Sequence, residues 1–441
     1  MGAQHSPRAR DRTIVGASTG NREMKIRSLT LKNYRGFEDA TLDLDRPLTV
    51  LFGVNGSGKS SVLAAAVLAL SKVCYHGRPP REDSWWHSPD DTDIRLGARE
   101  LSLTTILSNG EVTQEAIVQH HPGTTDHLAG LLNVGFDKLY DAAPALAVFY
   151  GASREVAKAQ DAFSLAENGN AAQPNFPSSA THDSLVAGHL KFRSLFLWFK
   201  AREDIENELK VAQQNLLLED PHLAAVRRAV AGMLPGFSGL RIQRDPLHMV
   251  IRKGDTTLVI DQLSDGEKLL LALTADLARR LAITYADQGD PLQGEAIVLI
   301  DEIELHLHPT WQRRVLASLR TTFPNCQLIV TTHSPQVLSE VPNDAVVLVK
   351  DFQFFRPAAP TEGRDTNSIL WEVLEVSARP AQTVTELDAI NSLLDEGKSD
   401  EARERLDHLA KTLTERDTEI GRLRSLLDVT ERLDASDHEG A

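Results

Sequence analysis

Apolar and polar residues alternate with a period of two through Lys25 to Leu44, on both sides of Asn33-Tyr34-Arg35-Gly36-Phe37, which predicts the two strands of a hairpin. The period then changes. Leu48, Val50, Leu51 and Phe52 form an apolar run, read as a buried strand, that passes through a glycine-rich turn into the helical run SSVLAAAVLAL. Alternation returns from Glu100 to Gln119 as a second hairpin about Ser108-Asn109-Gly110, and Ala145 to Tyr150 reads as a short apolar strand. Helical spacing governs Leu185 to Leu234, interrupted at Asp220-Pro221. Its charges (Lys200, Arg202, Glu203, Asp204, Glu206, Glu208, Lys210) are expected mostly on a solvated face.

Three strands follow between Gly239 and Ile260, then the long amphipathic helix KLLLALTADLARRLA after Glu267. Ala296 to Glu302 (AIVLIDE) and Gln327 to His333 (QLIVTTH) are continuous apolar runs, as in strands buried on both faces of a parallel sheet. AVVLVK from Ala345 adds another strand. Beyond a proline-rich loop, Leu387 to Leu433 returns to helical spacing and predicts two or three short antiparallel helices. Two segments carry little pattern. Tyr75 to Gly97, with Pro79-Pro80 and Trp85-Trp86, reads as a surface loop, and 155–184 as a flexible one.

The chemistry gathers at the ends of the apolar strands. Gly53-Val54-Asn55-Gly56-Ser57-Gly58-Lys59-Ser60 is the G-x-x-x-x-G-K-S pattern between a strand and a helix, with Ser61 next. Its glycines let successive N–H groups point inward and the helix adds its positive dipole end, so the loop is a phosphate cradle. Lys59 is expected on the β- and γ-phosphates of ATP, and the Ser60 hydroxyl on the accompanying Mg²⁺. Asp301 and Glu302 close AIVLIDE with two acids of different use: Asp301 to hold Mg²⁺ opposite Ser60, Glu302 to polarise the attacking water as general base. His306 and His308 have an H-x-H spacing, but no third ligand is evident, and a His-Pro helix start is the preferred reading. In Leu263-Ser264-Asp265-Gly266-Glu267 the serine fits an ordinary helix N-cap.

Composition narrows the class. At 441 residues the chain is expected to hold two or three compact units, and 41% hydrophobic with 25% charged residues is ordinary globular material. No segment approaches the roughly 20 apolar residues of a membrane span, and no signal region opens the chain, so a cytoplasmic protein without membrane partners is expected. Cys74 and Cys326 are far apart and fit reduced, packed thiols. A net charge of -15 argues against wrapping nucleic acid over the whole surface, though not against a local basic groove. Residues 1–23 form a basic lead expected to be disordered, and Met24 is an alternative start.

The ordered set YRGF, GVNGSGKS, LSDGE, LIDEIELHLHP and TTHSP spans residues 25–340 and resembles ATP-binding-cassette ATPases of the RecF and SMC type. That resemblance implies an α/β P-loop fold, a mixed sheet flanked by helices with a helical lobe and a small C-terminal helical region. It makes Arg35 a candidate nucleotide contact, beside the plainer reading of a solvated turn arginine. His333 takes the place of the switch histidine that contacts the γ-phosphate. Ser264, Asp265, Gly266 and Glu267 take the place of the signature that faces a second chain's nucleotide, with Asp265 and Glu267 departing from the usual glycine and glutamine. No glutamine is assigned to the Q-loop.

At finer grain the chain resembles the RecF-like ATPases of anti-phage systems, the Septu type and its retron-associated relatives. The residues that carry this are Ala147 to Arg154, the WF-x-x-RE helix at Trp198, Phe199, Arg202 and Glu203, and NSILWEVLEVSARP from Asn367 to Pro380. The resemblance implies an ATPase that forms a homodimer or higher homo-oligomer through nucleotide and works beside a separate HNH nuclease encoded nearby. Nucleic acid is a candidate partner. No TOPRIM-like acidic cluster or Cys/His-rich HNH module is found in the chain itself. A DNA-repair ATPase of the RecF kind, or an ATP-dependent nucleic-acid clamp without a nuclease, stands as the alternative. The expected organisation is an ATPase core in two parts, 24–154 and 235–350, separated by a flexible loop and helical insert at 155–234 and followed by a linker and helical region at 351–441.

Overall fold

The computed structural model describes residues 24–74, 89–108, 113–123, 146–152, 184–185, 192–286, 289–374, 379–414 and 417–439. The basic lead, Trp85-Trp86, the Asn109-Gly110 turn, Ser153, Arg154 and nearly all of the flexible loop lie outside the described residues. The chain divides into two compact units, Met1–Pro357 and Ala358–Ala441.

The first unit is built on a six-stranded sheet. The strand from the apolar run before the glycine turn, β3 (Leu48–Phe52), lies between β11 (Cys326–Thr332) and β12 (Val346–Lys350). Outside β11 come β10 (Ala296–Ile300) and β6 (Ala147–Tyr150), all parallel, and outside β12 the antiparallel β13 (Gln353–Phe355). β13 occupies part of the segment for which a loop was expected. Strands β3, β10 and β11 are buried at every position, which is why their sequences run apolar instead of alternating.

The alternating segments form a separate antiparallel sheet, β2 (Phe37–Asp43), β1 (Lys25–Tyr34), β4 (Leu101–Ser108) and β5 (Thr113–His120), in that order. Helix α1 (Lys59–Cys74) joins the two sheets: Val62, Leu63 and Leu70 share one apolar cluster with Leu29 and Leu103 of the antiparallel sheet and Leu299 and Ile329 of the parallel one. One polar side chain stitches the sheets together. Gln327, buried in β11, accepts from the Ile26 N–H at 2.8 Å and donates to the Ile26 and Leu44 carbonyls, each at 2.8 Å.

The helical lobe consists of α2 (Phe192–Ala212), α3 (Pro221–Met233) and α4 (Asp265–Thr284), with the sheet β7 (Phe237–Arg244), β8 (Leu247–Lys253), β9 (Thr256–Val259). Two of its features depart from expectation. Glu203 and Glu206 are buried, not solvated. Glu203 pairs with Arg244 at 2.6 Å and Arg227 at 3.2 Å and accepts from the Ile242 N–H, while Glu206 pairs with Arg227 at 3.0 Å and Lys210 at 2.6 Å. Carboxylates so fully bonded can leave water, and these tie α2 to α3 and β7. Helix α4 is covered all round: every residue from Leu269 to Ala282 is buried. Its Asp276 pairs with Arg279 and Arg280, each at 2.7 Å, and accepts from the Tyr150 hydroxyl at 3.1 Å.

Short helices α5 (Pro309–Gln312), α6 (Val315–Thr322) and α7 (Pro335–Leu338) complete the first unit. The second holds α8 (Thr366–Leu374) and the helices α9 (Ala381–Asp395), α10 (Ser399–Leu413) and α11 (Thr418–Glu439). Leu387, Ile390, Leu406, Ile420, Leu423 and Leu427 form the core of these last three, on the spacing read from the sequence. Among the described residues no helix is long and apolar enough to cross a membrane.

Candidate nucleotide-hydrolysis site

Strand register places the polar residues together. β3, β11 and β10 run parallel with Phe52 beside Thr332 and Val330 beside Ile300, so their C-terminal ends deliver Gly53, His333 and Asp301 to one edge. From Gly53 the glycine loop turns into α1. Gly58 has φ of +105° and a methyl group there would lie 2.8 Å from the Phe37 ring, so no side chain fits. Lys59 opens α1 with its ammonium bound to the Gly53 and Val54 carbonyls, each at 2.9 Å. Burial pushes the Lys59 amine down to about 8, against the opposing pull of Asp301, Glu304 and Glu302.

Asp301 is buried, and its Oδ1 accepts from the Thr331 hydroxyl at 2.5 Å and from the Ser60 hydroxyl at 3.1 Å. Thr331 also fixes the next acid, accepting from the Glu302 N–H at 2.7 Å. Glu302 has a left-handed backbone, φ +48°, uncommon for a residue with a side chain and typical of strained functional turns. Its carboxylate lies 3.9 Å from His333 Nε2, and His333 Nδ1 is 3.1 Å from the Gly53 carbonyl. Lys59, Ser60, Asp301, Glu302 and His333 thus surround the glycine loop. A phosphate ligand fits this edge: the Ser57 hydroxyl is buried with no hydrogen-bond partner among the described residues, and Ser60 with Asp301 presents the hard oxygen donors Mg²⁺ takes.

Arg35 also reaches this edge. Its Nη1 donates to the Ser61 hydroxyl at 3.3 Å, and its Nε pairs with Asp93 at 2.9 Å. Asn33 and Arg35 both have positive φ, and the turn is held by Arg35 N–H to Asp93 O and Arg95 N–H to Asn33 O, at 2.7 and 2.9 Å. Val54, Asn55 and Gly56 are exposed at the loop's tip.

The LSDGE segment has a different position. Ser264 caps α4 in a reciprocal box with Glu267, its hydroxyl 2.9 Å from Glu267 Oε2, and Glu267 also pairs with Lys253 at 2.7 Å. Gly266 packs on the loop after Glu302: a methyl group there would lie 2.4 Å from the His306 carbonyl. A cavity of about 580 Å³ opens beside it, lined by Ser264, Gly266, Glu267, Leu270, His306, Leu307, His308 and Trp311. Among the described residues no hydrogen bond joins Ser264 or Gly266 to the glycine loop. His308 accepts from the Thr310 N–H at 3.3 Å as N-cap of α5.

Sequence reasoning passed over Thr331, Asp93 and Glu304. Thr331 and Glu304 lie inside TTHSP and LIDEIELHLHP, which assign them no role, and Asp93 stands in no recognisable pattern; only strand register or loop closure shows what each one bonds.

Two family models match, one described as "AAA ATPase domain" over residues 24–89, the other as "AAA domain, putative AbiEii toxin, Type IV TA system" over residues 146–339. The Retron Ec83 probable ATPase of Escherichia coli is 30% identical over 444 residues, covering 86% of this chain and 80% of that protein. The chain belongs to this family of retron-associated ATPases. Septu protein PtuA of Bacillus thuringiensis is a more distant relative of the family member described here, 22% identical over 71% of this chain and 72% of PtuA. A solved structure of the recombination mediator RecF has a TM-score of 0.42 at 13% identity, covering 77% of this chain and 99% of that one.

Proposed function

We propose that this retron-type ATPase hydrolyses ATP in a composite site between two copies of the chain and thereby controls a partner nuclease in anti-phage defence. The observation that supports it most is the convergence of Lys59, Ser60, Asp301, Glu302 and His333 on the loop Gly53–Ser60. In this reading Lys59 exchanges the Gly53 and Val54 carbonyls for phosphate oxygens, and Gly53 to Ser61 with Arg35 hold the nucleotide. Ser60 and Asp301 hold Mg²⁺, which neutralises charge on the phosphates when bound. Glu302 takes a proton from the water that attacks the γ-phosphorus as the bond to the ADP oxygen breaks, and His333 donates to the γ-phosphate oxygens.

Ser264, Asp265, Gly266 and Glu267 are assigned to the second copy's nucleotide, because Ser264, Gly266 and Glu267 line a separate cavity and, among the described residues, neither Ser264 nor Gly266 is hydrogen-bonded to its own glycine loop. Glu302→Gln is then expected to bind ATP and accumulate as a dimer in size-exclusion chromatography with ATP and Mg²⁺, whereas Lys59→Ala loses nucleotide. A monomer whose specific activity is independent of concentration would sink the composite site. The nuclease partner rests on resemblance to the Septu and retron systems, and co-purification with an adjacent HNH reading frame tests it. A neighbouring repair operon would favour the RecF-like role.

A further inference from the structure

The loop after Glu302 contains a carboxylate with no role in the scheme above. Glu304 accepts from the backbone N–H of His333 through Oε1, while its Oε2 is buried with no hydrogen-bond partner among the described residues. A buried carboxylate oxygen left without a donor is unfavourable. A neutral acceptor at this position would serve the His333 amide without that penalty, so the stability of the loop does not by itself call for a carboxylate. Unfavourable groups of this kind persist where the surroundings hold them firmly, and they cluster at functional sites.

The surroundings here do hold it. Ile303 N–H donates to the Thr331 carbonyl at 3.0 Å, and Leu305 and Leu307 N–H to Glu302 and Glu304 carbonyls, each at 2.9 Å. Gln312 donates to the Leu307 carbonyl at 2.8 Å and accepts from the Ser334 hydroxyl at 2.7 Å, a second link between this loop and the end of β11. What these contacts fix is the backbone at His333. The imidazole spans the Gly53 carbonyl at 3.1 Å and Glu302 at 3.9 Å, so a small shift of its backbone breaks one end of the bridge.

We infer that Glu304 is a positioning residue for hydrolysis: its Oε1 anchors the His333 amide and so holds the imidazole between the phosphate loop and Glu302. The inference rests on the reading of Glu302 and His333 as the hydrolytic pair. Misplacement of a reacting group by about 1 Å costs on the order of 100-fold in rate. Glu304→Ala is therefore expected to lower kcat about 100-fold, with KM for ATP within about threefold of wild type. Amide hydrogen exchange at His333 should quicken in the same variant. Glu304→Gln keeps a carbonyl oxygen for the amide and should restore most of kcat and the protection.

Full activity in Glu304→Ala overturns the inference, as does a Glu304→Gln variant as impaired as the alanine one, or a loss carried by KM. If the alanine variant is insoluble, Glu304→Ser carries the same test. Glu302→Gln in the same assay separates the two levels. Wild type as inactive as Glu302→Gln overturns the proposed function, whereas an inactive Glu302→Gln beside an unimpaired Glu304→Ala overturns only the role of Glu304.

Discussion

Two buried aspartates in the first unit are held in opposite ways. Asp276, in α4, is gripped by the guanidinium groups of Arg279 and Arg280 and by the Tyr150 phenol, and those cations hold its carboxyl well below the usual carboxylate range. Asp301, at the end of β10, is held by the hydroxyls of Thr331 and Ser60. The two are close in the fold, since the Asp301 N–H donates to the carbonyl of Tyr150. A carboxylate paired with arginines inside a core is committed to structure, because neither cation can leave without stranding the other charge. One held by hydroxyls keeps its charge available to an incoming cation, and a serine hydroxyl can share that cation.

The comparison breaks first on activity. Asp301→Ala should lower Mg²⁺-dependent ATP hydrolysis by on the order of 100-fold or more while the melting temperature stays near wild type. An active Asp301→Ala enzyme would remove Asp301 from the metal site. Asp276→Ala should do the reverse. Leaving two buried guanidinium groups without their carboxylate is expected to cost about 3–5 kcal/mol, read as a lower urea midpoint. If Asp276→Ala unfolds no more easily than wild type, the distinction between the two aspartates fails.

A smaller effect sharpens the contrast through Lys59, the cation beside Asp301. Its amine sits at about 8 because burial disfavours the charged form. The unfolded lysine titrates near 10.4, so between these values the unfolded chain binds more protons and stability rises with pH across the window. Nucleotide binding runs the other way, because phosphate oxygens need the ammonium. Above pH 8, ATP affinity measured by calorimetry should fall by up to about tenfold per pH unit with proton uptake on binding, and Lys59→Arg should lack that dependence. A wild-type affinity that is flat from pH 7 to 9.5 would contradict it.

The two aspartates were not equally legible in the sequence. Asp301 stood at the end of AIVLIDE, where an apolar run stops at a ligand edge, and the glycine loop upstream made its chemistry readable. Asp276 was hidden in an apparently amphipathic helix, because periodicity shows which face is apolar but not whether the polar face is covered too. Glu203 and Glu206 were misread as solvated for the same reason: their partners Arg227 and Arg244 lie on other elements, more than 20 residues away. Gln327, Thr331 and Glu304 depend on strand register and loop closure, which local pattern does not encode. What could be read locally was the core: the alternating sheet, the buried parallel strands, the glycine loop and the C-terminal leucine spacing.

The smallest expected effect concerns Ser264, where two roles overlap in one hydroxyl. As N-cap of α4 it completes the box with Glu267, and Ser264→Ala should cost about 1 kcal/mol of stability. Aspartate is as good an N-cap as serine once Glu267, whose Oε2 lies 2.9 Å from the hydroxyl, is made neutral, so in a Glu267→Gln background Ser264→Asp should retain that stability. If Ser264 also faces the second copy's γ-phosphate, the new carboxylate would sit against like charge and hydrolysis should fall although the fold does not. Melting curves and turnover on the two variants, each against its own background, therefore separate the cap from the contact. A Ser264→Asp enzyme with the turnover of Glu267→Gln alone would leave Ser264 as a cap alone and confine the site to the edge where Asp301 lies.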